Sequence, residues 1–374
     1  MNNARTIDYR FKILYAVAIS MIVAGHVGGG GITLFNYWFP YYGIHLAIFA
    51  FCSGYFYKSS SEDQPKKFVI KKVKHLLVPL YIYNLAYGII VTILHQLGVT
   101  IGEPVTLYNI LVDPVKSGHA FLFNLGGWYI IPLFMLEMSF LFGRKALNKI
   151  HKFPEWALFA ISIVLGVIGN KISYLGINYG WWLVLDRMLY FFPFFGAGIF
   201  YKKSLEKLDS KIPSFWYFAC IISIRLIMTY RHGGIPLLTP AWCQDFPSNP
   251  VLPLVIGYTG IAFWLRIARI LEPVIGRSKW INLIADNTFS IMMNQFAGFF
   301  IVGGIYAFLN QEFGMCTGFD FASWKTNIWY IYAPNNVDQT LIIYEVAGLF
   351  IPIIIQMVIN YVKKSFETKF RKAS

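Results

Sequence analysis

Charge is what this sequence has least of. Only 13% of its 374 residues are Asp, Glu, Lys or Arg, against 57% hydrophobic and 18% aromatic. A soluble domain carries roughly 25% charged residues, so a water-soluble fold of this length would lack the polar surface to cover its core. Paired cysteines are missing too. Cys52, Cys220, Cys243 and Cys316 form no CxxC and no metal-ligand spacing with histidine, which excludes a zinc or redox site of the usual spacings. Cys52 and Cys220 fall in apolar runs and read as small buried hydrophobes. The first apolar run, Ile13 to Val27, lacks a small-residue cleavage site, so it reads as an uncleaved span. An internal repeat is also missing, which weakens transporter folds built from inverted halves.

What is present is a series of long apolar runs. A membrane span needs about 20 mainly apolar residues, and ten runs qualify: 12–29, 40–57, 76–98, 120–142, 155–173, 180–200, 214–231, 251–271, 284–309 and 340–362. The second and fifth are the weakest. The expected fold class is therefore an all-α, polytopic membrane bundle of about ten helices. It forms a single domain over 1–374, and both termini are cytoplasmic.

The +14 formal charge tests this segmentation. The cations sit in short clusters between spans, which excludes a nucleic-acid face and fits membrane orientation. Inside segments receive Arg5, Arg10 and Lys12; Lys58, Lys66, Lys67, Lys71, Lys72 and Lys74; and Arg144, Lys145, Lys149 and Lys152. Lys202, Lys203, Lys207 and Lys211 follow, then Arg266, Arg269, Arg277 and Lys279, and a tail with Lys363, Lys364, Lys369, Arg371 and Lys372. Outside loops keep only Lys116, Lys171, Arg231 and Lys325. The longest of these loops, 99–119, 232–250 and 310–339, hold many of the aromatics near the outer boundary: Tyr179, Trp181, Trp182, Trp242, Trp324, Trp329, Tyr330 and Tyr332. An interfacial belt explains them; a platform for stacking sugar rings is the sharper alternative. Cys243 and Cys316 fall in two of these loops. Bridged or unpaired, both are expected to be reachable from outside.

Ionisable residues inside spans are costly and mark candidate sites. His26 ends the first span in Val23-Ala24-Gly25-His26, ahead of Gly28 to Gly31. Fourteen residues after Lys12, it lies about 21 Å along a helix, beyond the bilayer midplane. A neutral imidazole there can take a proton from a hydroxyl and return it. Asp186, Arg187, Arg225, Glu137, His45 and Glu345 lie in other spans. Neighbours Asp186 and Arg187 point about 100° apart on a helix, so each needs a partner elsewhere. An ion-pair network accounts for some of these; Arg187, and less so Arg225, also suits an anion clamp for phosphate or thioester oxygen. In Lys66-Lys67-Phe68-Val69-Ile70-Lys71-Lys72-Val73-Lys74-His75, helical spacing puts Lys67, Lys71 and Lys74 on one face. That face is a cytoplasmic anchor or a seat for nucleotide phosphates.

Several of these segments resemble, in order, the membrane-bound acyltransferase-3 family. The charged lead Arg5-Thr6-Ile7-Asp8 and the helix ending Ile22-Val23-Ala24-Gly25-His26 resemble its opening. Phe49-Ala50-Phe51-Cys52-Ser53-Gly54-Tyr55-Phe56 is similar to its Ser-Gly element. Lys71 to Pro79 resembles its basic helix, and Gly127-Trp128-Tyr129-Ile130-Ile131-Pro132-Leu133-Phe134 its tryptophan element. Phe192 to Gly198 and Asn287-Thr288-Phe289-Ser290-Ile291-Met292-Met293-Asn294 resemble later segments. The sequence departs from the family at two places. Tyr15 stands where the family commonly has arginine or lysine, with Lys12 or Arg10 a turn away as substitutes. Asn294 and Gln295 stand where it often has histidine.

The resemblance implies transfer of an acyl group, usually acetyl, from cytoplasmic acyl-coenzyme A to a hydroxyl of a cell-surface or lipid-linked saccharide. His26 would be the catalytic base or the acyl relay. Lys12, Lys71, Lys72, Lys74, Arg187, Ser53 and Trp128 would bind the coenzyme or the developing oxyanion, with Arg10, Glu137, Asp186, Arg225 and Asn294 in support. Acetyl-coenzyme A is a co-substrate; no metal and no permanent cofactor is expected. The lipid bilayer and a glycan are the expected partners, and a bacterial plasma membrane is the expected location. A transporter or flippase for a polar or lipid-linked sugar is the alternative, and a non-catalytic scaffold gives His26 no role.

Overall fold

The structure is a computed structural model that describes residues 7–28 and 32–373, with side chains as far as 365. Arg5, Thr6, Gly29 to Gly31 and the side chains of Lys369, Arg371 and Lys372 lie outside the described residues. Asp8 caps the first helix by accepting from the Arg10 backbone N–H at 3.1 Å, and α1 runs Tyr9–His26. It is followed by α2 (Tyr41–Tyr55), α3 (Pro65–Gln96), α4 (Leu125–Ile150), α5 (Glu155–Tyr174) and α6 (Gly180–Asp209). Then come α7 (Ser214–His232), α8 (Leu252–Ile275), α9 (Thr288–Phe313) and α10 (Asp338–Ser365). Among the described residues there is no strand, only an isolated bridge between Thr239 and Gln244.

Seven of these helices are long and apolar enough to cross a membrane: α3, α4, α5, α6, α8, α9 and α10. The other three occupy expected spans but fall short for legible reasons. α1 carries Arg10, Lys12 and His26, α2 has 15 residues, and α7 carries Arg225, Arg231 and His232. Several boundaries moved. The run expected at 76–98 is the later half of a helix that starts at Pro65, so the basic stretch is continuous with it. The run expected at 120–142 begins at Leu125 and continues to Ile150, because 118–124 is loop. Lys279–Asp286 is a separate short helix ahead of α9.

α1 is the axle of the bundle. It packs against α2, α8, α9, α10 and the Lys279–Asp286 helix, and buries Ile13, Leu14, Ala18, Ile19, Ile22 and Val23. α2 and α6 approach so closely that glycine is required on both. A Cβ on Gly54 would lie 2.0 Å from the Phe195 carbonyl oxygen, and one on Gly198 would lie 2.0 Å from that of Phe51. The same logic docks the Gly126-Gly127-Trp128 turn on α9, where a Cβ at Gly126 would sit 2.4 Å from the Met292 oxygen.

Two cysteine expectations are corrected. Cys243 is fully buried and Cys316 half-buried, and both are free thiols. Cys243 sits in a loop folded inward on α6, out of reach from outside. Cys220 is exposed, because α7 packs chiefly on α8 and presents Phe215, Trp216, Ile222, Leu226 and Ile227 outward.

Candidate active site

Of the cavities that α1 lines, two hold the lysine cluster or His26. Toward its start, where the cations cluster, an open cavity of about 590 Å³ is lined by Tyr15, Ser53, Lys67, Lys71, Lys72, Glu137 and neighbours. Toward its end, a slot of about 30 Å³ is lined by Ile22, His26, Tyr42, His45, Leu46, Gly126, Trp128, Pro240, Ala241 and Met292. Tyr15 and Ile22 are seven residues apart, so about 10 Å of packed helix separates the two.

Four lysines line the basic cavity, Lys58, Lys67, Lys71 and Lys72, and Lys74 of the expected set is not among them. Between Lys72 and α3's longer segment, Val73–Leu77 forms a π-turn. Lys74 lies inside this turn, exposed and off the lining. Lys72 faces in instead, with Nζ 2.5 Å from Glu137 Oε1. Glu137 is 1% exposed, and its Oε2 has no partner. Sequence spacing on a regular helix could not anticipate this exchange.

The proposed substitutes for Tyr15 do not reach this cavity. Arg10 pairs with Asp8 at 2.6 Å and Glu206 at 2.8 Å, and lines a separate surface hollow with Arg269 and Glu272. Lys12 pairs with Asp286. Tyr15 itself lines the cavity, and the cation beside it comes from Lys72, on another helix.

At the slot, His26 Nδ1 lies 3.0 Å from Gln295 Oε1. The Gln295 amide nitrogen donates to the Met292 carbonyl at 3.4 Å, which fixes the amide with its oxygen toward the imidazole. Facing an amide oxygen, Nδ1 is the nitrogen suited to donate, and the tautomer in which it does so leaves Nε2 its lone pair. This is the arrangement a hydroxyl-activating base needs. Phe296 at 4.9 Å, Trp329 at 5.6 Å and Tyr42 at 6.0 Å hold the ring between centroids. The Tyr42 hydroxyl donates to the Gly25 carbonyl at 2.9 Å. His45 shares the slot, its Nδ1 bonded to the Tyr41 carbonyl. Gln295 and Tyr42 were not among the expected site residues, and Trp329 was named only among the outer aromatics read as a belt or a sugar platform. Gln295 had one signal, its position in the segment where the family often has histidine.

Arg187 stands behind the slot. Its Nε and Nη2 donate to the Ala241 carbonyl, Nη1 donates to the Ser117 carbonyl at 3.0 Å, and Nη2 donates to His119 Nε2 at 3.0 Å. Its guanidinium also lies 4.7 Å above the Trp128 ring. Burial, with the neighbouring Arg187 charge second, pushes His119 down to about 2, so this imidazole is neutral and accepts. The Trp242 ring lies against it, tilted by 31° with centroids 3.9 Å apart. Arg187 thus ties loops 117–124 and 239–245 together over the slot, touching its lining through Trp128 and Ala241.

The remaining expected residues lie apart from both cavities. Asp186 accepts from Ser173 at 2.6 Å. Arg225, fully buried on α7, donates to the Ile256 carbonyl at 2.6 Å and covers Phe39 at 4.6 Å. Asn294 accepts from the Tyr87 hydroxyl at 2.6 Å and donates to the Ser290 carbonyl at 2.8 Å, which braces α9 one residue before Gln295. No group of three or more potential metal ligands occurs among the described residues.

A family model described as an acyltransferase domain, that of acyltransferase-3, matches residues 8–361. The chain belongs to this family. It is a multi-pass membrane acyltransferase, with both cavities inside the matched region. No curated protein and no solved structure matches the chain.

Proposed function

We propose that this acyltransferase is an O-acetyltransferase of a cell membrane, expected to be a bacterial plasma membrane. It takes acetyl from acetyl-coenzyme A at the basic cavity and passes it to a saccharide hydroxyl at His26. The observation that carries this reading is the 3.0 Å contact of His26 Nδ1 with the Gln295 amide oxygen, which suits the tautomer that frees Nε2. In this reading the chain crosses the bilayer about ten times, with both ends and the basic cavity on the cytoplasmic side. The whole of 1–374 serves as one domain.

Lys67, Lys71 and Lys72 line a cavity open enough for phosphates, and ammonium groups bind these as point charges. The thioester arm runs from there along α1 toward the slot. Nε2 of His26 accepts the proton of the acceptor hydroxyl as oxygen attacks the thioester carbonyl. The carbon–sulfur bond breaks, the leaving sulfur takes the proton that His26 received, and coenzyme A departs as the thiol with His26 neutral again. Trp128, braced by Arg187, forms the wall against which the acyl group lies. Ser53 and Glu137 meet the donor in the basic cavity. Asp186, Arg225 and Asn294 support the helices.

The experiment is transfer of labelled acetyl from acetyl-coenzyme A to a glycan by the purified protein in liposomes. Transfer that is lost in His26→Ala is the expected result. Movement of a lipid-linked sugar across the bilayer without acetylation would replace this reading with a flippase.

A further inference from the structure

The slot at His26 holds about 30 Å³, room for a water or a single hydroxyl. A sugar ring does not fit. If a saccharide hydroxyl reaches His26, the ring that bears it stays outside, against whatever borders the imidazole's open side. His26 is only partly buried. Among the ring contacts of His26 within the described residues, Trp329 is the one made by a half-exposed residue: it is 46% exposed and its ring centroid is 5.6 Å from the imidazole.

Trp329 is also held in place. Its backbone N–H donates to Asn327 Oδ1 at 2.9 Å, and its ring meets Phe296 edge-on at 5.1 Å. The other exposed outer aromatics, such as Trp181 and Trp182, make no ring contact with His26. An interfacial anchor needs only depth in the bilayer; it has no reason to abut the base.

We propose that Trp329 is the specificity-determining wall for the acceptor, a pyranose ring whose apolar C–H face packs on the indole and presents one hydroxyl to Nε2 of His26. This rests on the O-acetyltransferase reading above. The test uses acetyl-coenzyme A as donor and methyl glycosides of glucose, galactose, rhamnose and N-acetylglucosamine as acceptors, with full-length protein in liposomes. Trp329→Ala should raise KM for the best glycoside about threefold to tenfold, the size of one lost aromatic contact. KM for acetyl-coenzyme A should stay put. Trp329→Phe, which keeps a ring, should lose less than Trp329→Leu, and these two serve if the alanine variant does not fold. Trp182→Ala should leave both constants unchanged. An unchanged acceptor KM in the Trp329 variants, or an equal rise in both constants, would overturn the inference and leave the O-acetyltransferase reading standing. Acetylation of none of the glycosides by the wild-type protein would overturn the saccharide acceptor and the inference together.

Discussion

Gln295→Leu is the sharpest perturbation the site offers. Leucine matches the volume of glutamine approximately but accepts nothing. Nδ1–H of His26 would then lose its 3.0 Å partner inside a ring of Phe296, Tyr42 and Trp329. Leaving a buried donor unsatisfied costs about 1–3 kcal/mol. The imidazole can escape that cost by moving its proton to Nε2 or rotating, and either removes the lone pair from the reacting hydroxyl. At 1.36 kcal/mol per decade, the turnover should fall roughly 5- to 150-fold. KM for acetyl-coenzyme A should not change, since Gln295 is remote from the basic cavity. Gln295→Glu keeps an acceptor for Nδ1–H and should recover much of the loss. The assay is initial rate of labelled acetyl transfer in liposomes over a donor titration. Turnover in Gln295→Leu above half that of wild type, with His26→Ala inactive, would refute tautomer control by this amide.

Further outcomes are expected from the two cavities and the thiols. His26→Ala should lower transfer by about 10²–10⁴-fold, the span of a general base, with protein level in the membrane unchanged on immunoblot. Lys71→Glu with Lys72→Glu should raise KM for acetyl-coenzyme A more than it lowers turnover, the mark of lost ground-state binding. Lys74→Glu, off the cavity lining, should leave KM alone, and an equal effect of all three would return the cluster to a simple membrane anchor. An impermeant maleimide should label Cys316 slowly and Cys243 only after unfolding, read by mass spectrometry. Fast labelling of Cys243 would place loop 239–245 away from α6.

The chain's class was legible because hydrophobic runs and loop charge are local and additive. Each apolar run expected between 12 and 362 corresponds to a helix, even where Arg225 or the shortness of α2 weakens the pattern. His26 stood out as a candidate too, since an ionisable residue ending an apolar helix is expensive wherever it lies. What sequence could not show depended on contacts between distant elements. Gln295 matters only because α9 lies beside α1. Arg187 read as an anion clamp, but its donors go to Ser117, His119 and Ala241, loop groups whose positions no helical periodicity encodes. Lys72 lines the basic cavity and Lys74 does not, and the π-turn at Val73–Leu77 breaks the regular 3.6-residue spacing from which the inward face was read.

The close approach of α2 and α6 at Gly54 explains why Ser53 is placed where it is, and it can be tested alone. Gly54 follows Ser53, and a Cβ there would meet the Phe195 oxygen at 2.0 Å, against 3.4–4 Å for ordinary contact. Backbone oxygen cannot rotate away, so Gly54→Ala forces α2 and α6 more than about 1 Å apart. Overpacking of this kind costs about 1–3 kcal/mol. The displacement also shifts Ser53 and widens the basic cavity beside Tyr15. Gly54→Ala should therefore shorten the thermal half-life in detergent and raise KM for acetyl-coenzyme A. Gly143→Ala, where nothing lies within 4 Å, should do neither. Full thermal stability in Gly54→Ala would mean that α2 and α6 are not in contact, and the placement of Ser53 in the cavity would fall with it.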